Sequence, residues 1–293
     1  MVKYLLNYMN AKEAQEAVEQ RDIVVFPIGA VHKHGDGPIG TDCLSCEELA
    51  RRLGERVPEK VIVLPLLPYG VSTGAVLPGG IDTSYAPVKE MIKDVCMSFV
   101  KYGIKHILFL TGHGGNDDAC LSVASELHKF GVLSAYVRWW DLILQLKGDE
   151  DPTYRSIFNI EQDVNAALGL VDPSVLRSGE MRTGAFQDRL RKEIFGDKFP
   201  APGKMEGTVI CSGGDPRITH VRHGVVFEGG TVQIPIPRAH VDIKDPEPGE
   251  WESIAHLVSA EKGEDILKTC TDWLVKFIEE FEKLEIPKEY KEA

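Results

Sequence analysis

The stretch His106-Ile107-Leu108-Phe109-Leu110-Thr111-Gly112-His113-Gly114-Gly115-Asn116 decides the fold. Its first half is a short apolar run, the pattern of a strand buried on both faces. Its second half is a glycine-rich turn, and the residues that follow, Asp117 to Lys129, read as a helix. Leu133 to Trp139 is then a further strand, so one β-loop-α-β unit is complete. Working back towards the N-terminus, the same grammar recurs. Ile23 to Gly29 is an apolar strand, followed by a Gly- and His-rich loop and a helix from Cys43 to Arg56. Val61 to Leu66 is another strand, and 87–102 carries the apolar spacing of an amphipathic helix. Strands alternating with helices at this spacing predict an α/β fold, with three α/β/α layers around a mostly parallel sheet.

Beyond Asp141 the pattern is less regular. Helices are expected over Glu161–Val171, ended by Asp172-Pro173, and near Gln187–Glu193. Gly196 to Gly214 reads as a Gly- and Pro-rich excursion, Thr231 to Ile236 as a strand, and 261–284 as a C-terminal helix with an apolar stripe. A chain of 293 residues fits one large domain spanning 1–293.

Composition narrows the function. The hydrophobic fraction of 43% and charged fraction of 27% are those of a soluble globular protein. A formal charge of -12 argues against nucleic-acid and acidic-membrane partners, which need clustered Lys and Arg. No apolar stretch reaches the roughly 18 residues of a spanning helix, and the N-terminus lacks a signal-peptide cleavage pattern, so a cytoplasmic protein is expected. Five of the six cysteines (43, 46, 96, 120, 270) fall in helical segments and read as buried thiols; the sixth is Cys211. Cys43-x-x-Cys46 has a redox or half-zinc-site alternative, but no second C-x-x-C completes a four-Cys site.

The chemistry concentrates at strand ends. Three of the nine histidines, His32, His34 and His113, follow buried strands directly, where ligands bind to an open parallel sheet. Histidines two apart in extended chain face the same way. Asp42 returns to the same end of the sheet, placed either to cap its helix or to bind a metal. Imidazoles and a carboxylate together suit zinc, manganese or iron. The glycines of the turn alone would serve a tight strand-to-helix connection. A phosphate-cradling use lacks the P-loop Lys-Ser/Thr, and Ala30 to Gly37 lacks the G-x-G-x-x-G order of a dinucleotide binder. Ser72 and Asp82, in the long Tyr69–Asp82 loop, Arg217, and Trp139 with Trp140 at a strand end, are candidates to contact substrate. His220, His223 and His240 are candidates for proton transfer, or surface residues.

Two segments carry a resemblance. Phe26-Pro-Ile-Gly-Ala-Val-His-Lys-His-Gly-Asp-Gly-Pro-Ile-Gly-Thr-Asp42 and Thr111-Gly-His-Gly-Gly-Asn116 resemble the two signature blocks of the creatininase (creatinine amidohydrolase) family, P-x-G-S-x-E-Q-H-G-x-H-L-P-x-G-T-D and N-G-H-G-G-N. Weaker likeness extends the match over about residues 20–225. The resemblance implies a metal-dependent hydrolase with a divalent centre of zinc or manganese, of one ion or two, iron being a further option. His34, Asp42 and His113 stand at family ligand positions, with Asp42 at that of the bridging carboxylate.

The chain also departs from the pattern, as a divergent member would. His32 replaces a usual ligand Glu, and the His34-to-Asp42 spacing is one residue shorter. The family's downstream H-A-G-E-x-E-T-S block has no clean counterpart. Asn159-Ile-Glu161-Gln-Asp163-Val-Asn165 lies in its place, so Glu161 or Asp163 would supply the last ligand, and the same carboxylates or His223 would move the proton. The implied reaction is attack of metal-activated water on a ring carbonyl of a small cyclic substrate: a cyclic amide C–N bond, or ring-opening of a cyclic keto-polyol such as 3-dehydro-scyllo-inosose. The alternative is a catalytically inactive metal- or ligand-binding protein on the same scaffold. Family members are commonly hexamers, so a homo-oligomer is expected.

Overall fold

The structure, a computed structural model, describes residues 3–31, 34, 37–72, 79–81, 83–151, 154, 157–176, 180–182, 205–211, 221–227, 230–235, 251–253 and 255–286, without the side chains of 157–159 and of the segments from 180 to 253. After α1 (Ala11–Gln20), the strands β1 (Ile23–Ile28), β2 (Val61–Val63), β3 (His106–Thr111) and β4 (Leu133–Arg138) alternate with helices α2 (Thr41–Arg56), α3 (Tyr85–Val100) and α4 (Asp117–His128). The four strands form one parallel sheet in the order β2-β1-β3-β4.

Period-two alternation sends the side chains of each strand to opposite faces, and both faces are covered. Ile23, Val25, Val61, Val63, Leu108 and Leu110 pack against α2 and against three later helices: α5 (Trp139–Lys147), α6 (Ile157–Ala167) and α7 (Ala260–Phe281). Val24, Phe26, Ile28, Ile62, Ile107 and Phe109 pack against α1, α3 and α4. The expected three layers are therefore present. Helix α2 lies on one face and α3 and α4 on the other, because the chain leaves β1 for β2 on one side and returns to β3 on the other. Between the carboxyl ends of β1 and β3 lies the switch point at which open α/β sheets bind ligands.

The C-terminal half departs from expectation in three places. Helix α6 spans Ile157–Ala167 instead of Glu161–Val171. Its stop is a Schellman closure: Gly169, at φ 70°, donates its N–H to the Ala166 carbonyl (3.0 Å), and Leu170 donates to that of Asn165 (2.9 Å). Asp172-Pro173 lies beyond this stop. Gly196–Gly214, expected as an excursion, contains β6 (Met205–Cys211), which pairs antiparallel with β7 (Val221–Phe227), itself paired with β8 (Gly230–Pro235). Flanking glycines and prolines hide β6, whose partner lies ten or more residues away. Two short strands, β5 (Glu180–Arg182) and β9 (Trp251–Ser253), pair with each other. The helix expected near Gln187–Glu193 lies outside the described residues.

Helix α7 carries an apolar stripe of Ile266, Leu267, Cys270, Leu274 and Ile278, all buried, and its N-terminus docks on α6. No helix among the described residues is long and apolar enough to cross a membrane.

Candidate metal centre

Residues near the carboxyl ends of β1 and β3 converge with one turn of α6. His34 follows β1, Asp42 opens α2, His113 follows β3, and Glu161 projects from α6; their exposures are only 4%, 1%, 3% and 4%. His34 Nε2 lies 3.1 Å from Asp42 Oδ1 and 3.8 Å from Glu161 Oε2. His113 Nδ1 lies 3.0 Å from Asp42 Oδ2. Asp42 thus presents one carboxylate oxygen to each imidazole.

Backbone geometry brings these segments together. Thr111 Oγ1 accepts from the His113 N–H (3.1 Å), and its hydroxyl donates to the His113 carbonyl (2.9 Å), which folds the turn after β3. Asn116 ties three loops: its Nδ2 donates to Gly29 O (3.2 Å) and Thr111 Oγ1 (3.2 Å), and its Oδ1 accepts from Val71 N–H (2.8 Å). Gly112 permits the closest approach, since a Cβ there would stand 1.8 Å from the Asp42 carbonyl oxygen. Gly112→Ala must push the start of α2 off the turn. We expect a loss of about 1–3 kcal/mol, the usual cost of overpacking, together with weakened metal binding. Denaturant unfolding and metal titration read the two effects, and a wild-type result in both would contradict this packing.

Among the described residues, His34, Asp42 and Glu161 form a group whose ligand atoms all lie within 4.8 Å of one another. Around an ion about 2.0–2.2 Å from each ligand, tetrahedral donors stand roughly 3.3–3.6 Å apart, close to the 3.1 and 3.8 Å from His34 Nε2 to the two carboxylates. Burial raises the Glu161 carboxyl well above the usual range; the His34 charge opposes this and the Asp42 charge adds to it. Glu161 Oε2 is buried and accepts no hydrogen bond among the described residues. Two buried carboxylates beside imidazoles, one with an oxygen left unsatisfied, fit a divalent cation.

Of the two acidic residues in the downstream segment, only Glu161 joins this cluster. Asp163 faces α7, where its Oδ1 accepts from the Ser259 N–H (2.7 Å) and its Oδ2 lies 3.1 Å from Lys262 Nζ. It fastens one helix to another. Trp139 opens α5 and lies at 1% exposure in the core, edge-to-face on Trp140 at 6.3 Å. Ser72 is buried at 2% exposure, one residue past the Asn116 anchor. His32 and Asp82 lie outside the described residues. His223 falls on β7, opposite Val209 and Ile234, with its side chain not described. Cys43 donates its thiol to the Ala30 carbonyl (3.2 Å), and burial pushes it up to about 12, which is the state of a packing residue. Sequence reading assigned no role to Asn116, Gln162 or Asn165. Their one signal is position: Asn116 closes the glycine turn, and the two amides follow Glu161 on α6.

A family model, Creatininase (creatinine amidohydrolase), matches residues 7–163 and so contains every residue of this cluster. The chain belongs to the creatininase family. Membership places it among metal-dependent hydrolases. The fold extends the likeness across the whole chain. A crystal structure of a creatinine amidohydrolase (creatininase) superposes with a TM-score of 0.66 at 20% identity, covering 97% of this chain and 100% of that one. A manganese creatininase gives 0.65 at 21%, covering 95% and 99%. A Zn-Zn form of a creatininase variant gives 0.63 at 20%, covering 95% and 98%. No curated protein matches the sequence.

Proposed function

We propose that this protein hydrolyses a small cyclic substrate at a ring carbonyl, with a centre held by His34, Asp42, His113 and Glu161. The placement of Asp42, one oxygen to each imidazole with Glu161 closing the group, carries this reading. The manganese and Zn-Zn forms of the structural relatives favour zinc or manganese as the occupant, and the two-sided Asp42 favours two ions. When bound there, divalent ions supply a Lewis acid for the carbonyl and lower the pKa of a water towards neutrality. The chain's own part is to fix the donors. Asp42 orients both rings at once, the Thr111 and Asn116 hydrogen bonds hold the His113 turn, and burial excludes bulk water from Glu161.

Among substrates, a cyclic amide opened at its C–N bond comes first on family grounds. A cyclic keto-polyol such as 3-dehydro-scyllo-inosose, opened at a C–C bond, is the second member of the class. His32 in place of the usual carboxylate and the altered α6 segment both favour a substrate other than creatinine. His223 is our candidate for delivering the proton to the leaving atom, because imidazole titrates near neutral pH.

The test is a screen of creatinine, other cyclic amides and lactams, and keto-inositols against metal-loaded and chelator-stripped protein. Turnover that needs the metal, with His223→Ala losing kcat at unchanged metal content, is the expected result. Stoichiometric metal without turnover on any substrate would point to an inactive scaffold.

A further inference from the structure

Three of the proposed metal ligands come from three separate segments, and one buried chain of amides joins those segments. Gln162, at 1% exposure, follows Glu161 on α6. Its Nε2 donates to the His34 carbonyl (3.1 Å), which also accepts from the Gly37 N–H (3.0 Å). Its Oε1 accepts from Asn165 Nδ2 (3.2 Å), and the same Nδ2 donates to Thr41 Oγ1 (3.0 Å), the residue before Asp42. Thr41 in turn donates its hydroxyl to the Pro38 carbonyl (2.7 Å). Asn165 and Thr41 are both fully buried.

The chemistry sets the direction of this chain. A backbone carbonyl only accepts, so Gln162 must turn its NH2 towards His34 and its oxygen towards Asn165. Asn165 must then donate, and the Thr41 hydroxyl must accept. Each amide has one productive orientation, and each end of the chain stops beside a ligand. The side chain of Gln162 also lies directly against Gly37, where a Cβ would come within 2.4 Å of its Oε1, so the amide holds both His34 and Gly37.

We propose that Gln162 is a positioning residue for the metal centre, setting His34, Asp42 and Glu161 in register through the Gln162–Asn165–Thr41 relay. It touches neither metal nor substrate. The inference rests on the metal-site reading above. Outer groups that orient ligands are worth about 10–100-fold in metal affinity.

The experiment uses the full chain stripped of metal and zinc alone as probe, in competition with a chromophoric chelator. Gln162→Met keeps the length of the side chain and removes the amide, while the His34 carbonyl keeps the Gly37 N–H. It should weaken zinc binding about 10–100-fold with little change in the melting temperature of the metal-free protein. Thr41→Val, cutting the other end of the relay, should act in the same direction, and Thr41→Ser should restore wild-type affinity. Wild-type zinc affinity in Gln162→Met overturns the inference, as does a melting temperature that falls while affinity holds. Should Gln162→Met fail to fold, the Thr41 pair decides, and equal affinities there overturn it. If wild-type protein binds no zinc, the metal-site reading fails and takes the inference with it. If wild-type protein binds zinc and Asp42→Ala does not, an unaffected Gln162→Met overturns the inference alone.

Discussion

Asp42→Ala should leave a folded protein without stoichiometric divalent metal and without hydrolytic turnover. Asp42 contacts both imidazoles: its Oδ1 lies 3.1 Å from His34 Nε2 and its Oδ2 lies 3.0 Å from His113 Nδ1. Its removal therefore deletes a donor and releases two rings at once. The loss of metal affinity should exceed the roughly 10–100-fold that removing an outer-shell partner costs. The N-cap of α2 is Gly40 rather than Asp42, and the helix buries its apolar face through Leu49 and Leu53, so loss of the carboxylate should cost the fold only the modest contribution of a first-turn acid. Equilibrium dialysis followed by elemental analysis measures the metal, and circular dichroism checks the fold. A variant that keeps stoichiometric metal, or full activity, would remove the basis of the proposed function.

The second large effect is a crossed pair. Glu161→Gln should lose metal and activity while the metal-free protein stays as stable as wild type or becomes more so. Its carboxyl is buried with its titration raised by desolvation, so the charged form costs the metal-free fold free energy. Asp163→Ala should do the reverse. It leaves the Ser259 N–H and the Lys262 ammonium without their buried carboxylate. Breaking such a pair from one side costs about 3–5 kcal/mol, lowered here because Lys262 also lies over the Tyr154 ring at 4.7 Å. Metal affinity should survive. Zinc titration beside urea unfolding of both variants decides the matter, and metal loss in Asp163→Ala with retention in Glu161→Gln would invert the assignment.

That pair marks where sequence reading reaches its limit. Two residues apart on a helix, Glu161 and Asp163 point about 200° away from each other at 100° per residue. Both are acidic and both occupy the place of the family's downstream ligand, so the spacing alone favours neither. The docking of α6 turns Glu161 to His34 and Asp163 to α7. Trp139 illustrates the same limit in the other direction. An aromatic at the end of a strand reads as core more often than as a pocket wall, and only the immediate start of α5 places this one inside.

What lies within a short window is legible in the sequence. The apolar runs of β1 and β3, the glycine turn that follows β3, and the histidines placed directly after strands are local patterns with local causes. They sufficed for a parallel α/β sheet and for a metal site at its carboxyl end. The strands β6 and β7 were not legible, because a strand flanked by Gly and Pro is stabilised by partners distant in sequence. Nor was the relay through Gln162 and Asn165, whose hydrogen bonds to His34 and Thr41 span more than 120 residues. Sequence by itself determined which residue types could hold a metal and at which strand ends. Tertiary structure alone decided which carboxylate closes the group, because helix docking sets the facing of side chains and no local pattern encodes it.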